Sequence, residues 1–174
     1  MWFVVLQQKM GCAQSQPLDT RGRTPSAVAE HYVWFPIDSS AGIDMFRAAF
    51  KEELISNSVL LISEIDHAAL AVEHTSASLR PTHVLFFGKP EIGTPLMDAH
   101  PQLSLELPLR LALWQDGGSC VTACHPNYEH VFQTLGSGSA GEAMNALIKK
   151  MVDGATRRVQ AGSEFTESGK HVSA

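Results

Sequence analysis

Residues 82–97 read THVLFFGKPEIGTPLM, and the way this stretch turns decides the fold. Its first part, Thr82 to Phe87, is a continuous apolar run of strand length, which suits a central strand of a sheet. Its second part holds two glycines that bracket four residues. That spacing is the first half of the phosphate-binding pattern Gly-x-x-x-x-Gly-Lys-Ser/Thr. Here Thr94 and Pro95 stand where lysine and a hydroxyl should follow, and proline removes a backbone donor, so a nucleotide loop of that class is excluded. The local chemistry predicts a helix start instead. Thr94 is read as the N-cap and Pro95 as the first helical residue of a short helix, LMDA, that ends before Pro101. Free amides after Thr94, with Lys89 close by, could receive a small anion. The alternative is a purely architectural turn.

Working outward, HYVWFPI at residues 31–37 has strand composition, with Pro36 marking an edge. Asp38, Ser39 and Ser40 offer capping oxygens to a helix running to about Ile55, with Ile43, Phe46, Phe50 and Leu54 on its buried stripe. SVLLISEI at 58–65 reads as another strand, and Asp66 suits the cap of a short helix through HAALAVEH. Downstream, LPLRLALW alternates, with Leu107, Leu109, Leu111 and Leu113 on one face and Arg110 and Trp114 on the other. Asp116-Gly117 predicts a tight hairpin into SCVTAC. Ser139 and Glu142 are spaced as a capping box for a last helix, whose stripe is Met144, Leu147, Ile148, Met151, Val152 and Ala155. Lys149, Lys150, Arg157 and Arg158 fall toward its C-terminal half, where cations complement the dipole. The order is β-α-β-β-β-β-α with small helical insertions: an α+β fold, its antiparallel-rich sheet packed by two main helices.

The chain has 174 residues, 44% of them hydrophobic, enough for one core. We expect a disordered leader over 1–28, one domain over 29–159 and a disordered tail over 160–174. A net charge of -5 without a basic face argues against a nucleic-acid partner. Cys12, Cys120 and Cys124 do not make a disulfide framework, so silent thiols in a reducing, cytoplasmic setting are expected. No stretch reaches the roughly 18 apolar residues of a membrane span. MGCAQS at 10–15 fits acylation of Gly11 and Cys12, but only if Met10 initiates the chain; otherwise this is an unstructured leader.

Few residues suggest chemistry. Asp66 and His67 pair a carboxylate with an imidazole, the elements of acid–base catalysis, although capping already explains Asp66. CVTACH is one residue too long for haem attachment, and strand residues four apart lie roughly 13 Å apart, too far to share a metal. His125, Glu129 and His130 are placed around a short helix without zinc-protease spacing, and His67 and His74 lie two helical turns apart. No metal or cofactor is expected.

EIDHAALA, VLFFGKPEIGTPLMDAHPQLSLELPLRLALWQD and HPNY together resemble the domain-of-unknown-function 302 family over about residues 31–158. The matching positions are Asp66, His67, Gly88, Pro90, Gly93, Thr94, Pro95 and the LPL of 107–109. Lys89 replaces the usual asparagine, and His125 replaces the aspartate before Pro126. The resemblance implies a TATA-binding-protein-like α+β fold and a homodimer, but no activity. The expected role is a ligand-binding or protein-interaction module with its site at Gly88, Lys89, Pro90, Gly93 and Thr94, taking a small anion. The alternatives are an enzyme using Asp66 and His67, and a lipid-anchored adaptor.

Overall fold

The computed structural model describes residues 31–168, except 40, 116, 117, 119, 134, 136 and 137, with side chains as far as 162. Gly11, Cys12 and the hairpin tip Asp116-Gly117 lie outside the described residues. Five strands form one antiparallel sheet in the order β1-β5-β4-β3-β2, with β1 Tyr32–Asp38, β2 Leu60–Asp66, β3 Thr82–Gly88, β4 Leu109–Gln115 and β5 Cys120–Pro126. The helices are α1 Gly42–Ser56, α2 His67–Thr75, α3 Pro90–Ala99, α4 Tyr128–Gln133 and α5 Gly138–Ser168, with a short 3-10 helix at Pro101–Leu105. The apolar run from Thr82 to Phe87 lies in an interior strand, β3, between β2 and β4. The β4–β5 register, Gln115 opposite Val121, bears out the hairpin.

Alternation decides which face is covered. Leu85 and Phe87 of β3, Leu109, Leu111 and Leu113 of β4, and Val121 and Ala123 of β5 are all buried on one face. Onto them α1 lays Ile43, Phe46, Phe50 and Leu54, and α5 adds Met144, Ile148, Met151, Val152 and Ala155. Both predicted stripes therefore face the same core. The helices cross closely at Gly154, where a Cβ would lie 2.5 Å from the Glu53 carboxyl. Trp34, Val84, Phe86, Ala112 and Trp114 lie on the opposite face and stay partly exposed.

Several helix ends differ from expectation. The amide of Ile43 donates to Gln115 Oε1 at 3.1 Å, so strand β4 caps α1, while the Ser39 hydroxyl donates to the Gly42 carbonyl. Asp66 does cap α2: its Oδ1 accepts from the Ala69 amide at 2.9 Å. Helix α5 starts at Gly138, which places Ser139 inside the first turn, and it continues to Ser168, past residue 159, the expected end of the domain. Its cations are therefore in mid-helix and find side-chain partners: Lys149 with Asp153, Lys150 with Asn57, and Arg158 with Glu52 and Glu53. Cys120 is disulfide-bonded, which corrects the expectation of silent thiols at that position, and Cys124 is free and buried.

His125 is on β5, not on the short helix, and is only 1% exposed. Its ring stacks between Phe35 and Tyr128, at centroid distances of 5.7 and 5.9 Å. Nδ1 donates to the Pro126 carbonyl at 2.7 Å, and Nε2 is buried without a partner. Protonation would place a charge there with no acceptor, and burial accordingly holds the imidazole below its ordinary 6.5. The unfolded chain thus binds this proton more readily than the folded one. This stability contribution is intact above 6.5 and is lost as pH falls from there toward the folded value. Denaturant midpoints recorded from pH 7.5 to 5 should fall, and they should fall less in His125→Phe. An unchanged slope in that variant would remove His125 as the cause.

Candidate functional site

The turn out of β3 is built differently from the sequence reading, and the difference creates a cavity. Helix α3 begins at Pro90, with Lys89 in extended conformation before it, because proline fits a first turn that needs no amide donor. The amides of Ile92 and Gly93 both donate to the Lys89 carbonyl, at 2.9 and 3.0 Å. Thr94 and Pro95 therefore lie inside the helix, and the expected cap at Thr94, with free amides behind it for an anion, is not formed. Pro95, the sixth residue of α3, lies past the first turn and supplies no amide to the Glu91 carbonyl one turn back.

Under this turn lies a cavity of about 300 Å³, at the lower end of ligand-pocket sizes. All five expected site residues, Gly88, Lys89, Pro90, Gly93 and Thr94, line it. Its walls are apolar: Val59 and Ile62 from β2 and the turn before it, Met97 from α3, Leu107 to Leu109 at the head of β4, and Met144 and Leu147 from α5. Gly93 keeps the space open. A Cβ there would meet the Leu107 and Met97 side chains at 3.7 and 3.9 Å, ordinary contact distances, so a longer side chain would grow into the cavity. Around the mouth, Ile62 and Ile92 are each about half exposed, at 51% and 50%. Edge strand β2 contributes Ile62 at a register shift between Leu61 and Ser63, which turns that side chain aside from the regular pleat.

The expected Asp66-His67 pair does not assemble. His67 is exposed on α2, and no hydrogen bond or ion pair joins it to Asp66 among the described residues. The Asp66 carboxyl is instead held below its ordinary 3.8, chiefly by the Ala69 amide, with a smaller contribution from His83. Sequence reading missed His83 because it opens an apolar run. Its ring is 5% exposed on β3, directly across from Asp66 in the strand register. Arg47 Nη1 lies 2.8 Å from its Nδ1 and 3.2 Å from its Nε2. Arg47 also pairs with Asp44 at 3.1 Å and Glu64 at 3.2 Å, and Lys51 pairs with Glu64 at 2.5 Å. This cluster flanks a second, more polar cavity of about 420 Å³, lined in part by Arg47, Asp66, His83 and Gln115. Arg47 and Lys51 are each paired with carboxylates, and Gln115 is committed to capping α1, so the arrangement is that of a scaffold. Among the described residues no group of three or more His, Cys, Asp or Glu could hold a metal.

A five-stranded antiparallel sheet with two long helices on one face, and an apolar cavity where β3 turns into α3, defines a small α+β domain with a pocket at a strand exit. The chain belongs to the family described as domain of unknown function DUF302, which matches residues 35–155. A crystal structure of an uncharacterized conserved protein DUF302 from Bacillus stearothermophilus shares the fold with a TM-score of 0.58 at 15% identity, covering 72% of this chain and 97% of that one. Among curated proteins, the chain is 34% identical over 110 residues to fluoride-specific ion channel FluC 1 of Brucella suis and to FluC 2 of Brucella melitensis. Those matches take in 62% of this chain and only 40% and 38% of the two relatives' lengths.

Proposed function

We propose that this chain is a binding module that holds a small ligand in the cavity beneath the Gly88 to Thr94 turn and acts as a homodimer. The observation that carries the reading is the cavity itself: five residues picked out from sequence meet at one apolar recess, together with side chains from β2, β4 and α5. Convergence of several elements on one concave, apolar space with few polar groups is how small-molecule sites are made. The partly exposed aromatic residues on the sheet face opposite α1 and α5, with Trp34 and Trp114 edge to face at 5.5 Å, support pairing of two copies through that face.

The likeness to channel proteins is not extended to ion conduction. No described helix is long and apolar enough to cross a membrane, and the matched segment is the minor part of the relatives' length. It supports a module that can be joined to a membrane protein and report a ligand to it. Native mass spectrometry of gently purified protein tests the reading. A dimer carrying a reproducible extra mass is expected, and Trp114→Glu should yield monomers that still carry it. An empty wild-type protein whose mass stays unchanged on exposure to a cell's small-molecule extract would contradict ligand binding.

A further inference from the structure

Resting on that reading, we propose that the ligand is an amphiphilic anion: a medium-length hydrocarbon chain inside the cavity, with a carboxylate at the mouth facing Lys89. The class follows from the lining. Val59, Ile62, Met97, Leu107, Met144 and Leu147 offer only hydrocarbon and thioether surface, which favours an apolar body and strongly disfavours a buried charge. Lys89 is the one charged side chain among the described lining residues, and it is half-buried. No hydrogen-bond or ion-pair partner for its ammonium group occurs among the described residues. Lysines extend an apolar stem along such a wall and keep the ammonium at the water boundary, so the unmatched positive charge marks where an anionic head would rest. Size agrees: the volume of about 300 Å³ is roughly twice that of a cavity that encloses benzene. Methionines at 97 and 144 can repack around a flexible chain. The amides of Ile92 and Gly93 are used within α3, so the anionic head is left to Lys89, and the apolar walls suit the hydrocarbon rather than the charge.

The probes are decanoate and decan-1-ol, with binding to the full chain measured by isothermal titration calorimetry. Decanoate should bind wild type at one per chain. Lys89→Gln should weaken decanoate about tenfold, a step of the size expected for a charge-assisted contact at a partly exposed site, and leave decan-1-ol unchanged; Lys89→Arg should restore decanoate. Gly93→Leu should block both probes by filling the space, and Met144→Trp serves as a second blocking variant if the first melts early. Equal binding of the two probes, insensitive to Lys89, would overturn the anionic head while leaving the cavity reading in place. Failure of both probes to bind wild type would overturn the amphiphile, and if the purified protein nevertheless carried an extra mass that Gly93→Leu removed, the cavity reading would survive it.

Discussion

Gly141→Ala is expected to be among the most damaging single substitutions in this chain, costing about 3 kcal/mol or more of folding stability. At this position α5 crosses the start of α4 with no room for a side chain. An added Cβ would collide with the Tyr128 carbonyl oxygen and lie 2.6 Å from both the Tyr128 carbonyl carbon and Glu129 Cα. These are backbone atoms, so no rotamer change relieves the clash. The helices would have to separate, and the connections that fix Tyr128 would go with them. Its hydroxyl accepts from the Arg110 amide at 2.9 Å, and its own amide donates to Asn145 Oδ1 at 3.0 Å. The first of these satisfies β4 beyond its last pairing with β5, at Ala112 opposite Cys124. Urea unfolding of Gly141→Ala beside Gly162→Ala makes the comparison, since a Cβ at 162 meets nothing within 4 Å. A loss below 1 kcal/mol at 141 would show that the two helices are not seated this closely.

Phe50→Ala should cost about 3–5 kcal/mol, the range for emptying a fully buried aromatic site. The ring is completely buried, with Phe46 at 6.5 Å and Phe87 at 5.5 Å between centroids. It joins α1 to the interior strand β3. Phe50→Leu retains most of the volume and should lose less. Equal losses for the two variants, read from denaturant midpoints, would mean that volume is not what the site supplies.

The layout of the sheet and its two long helices was legible because it rests on periodicity. The stripe at Ile43, Phe46, Phe50 and Leu54, and the alternation of Leu109, Leu111 and Leu113, each encode a buried face without reference to the rest of the chain. Helix ends were less legible because they depend on partners remote in sequence. Ser39 and Ser40 have the right chemistry for a cap, yet Gln115 supplies it from β4, 72 residues away in sequence. At α3 two prolines competed for the helix start, and Pro90 prevails over Pro95 because the chain turns immediately after β3. The site was legible as residues but not as chemistry. Gly88, Lys89, Pro90, Gly93 and Thr94 do meet around one cavity, while its apolar walls come from Val59, Leu107 and Met144, which only the fold brings together. The same holds for His83, whose link to Arg47 spans strand and helix and leaves no local trace in sequence.

The proposed role requires that the ligand enter the apolar cavity and not the polar one. Methyl-labelled NMR of the full chain during addition of decanoate separates them most directly. Saturable shifts are expected at Ile62, Ile92, Met97, Met144 and Leu147, with Ile43 and Leu79 beside the Arg47–His83 cluster unmoved. Shifts confined to Ile43 and Leu79, or none at the first group, would contradict it.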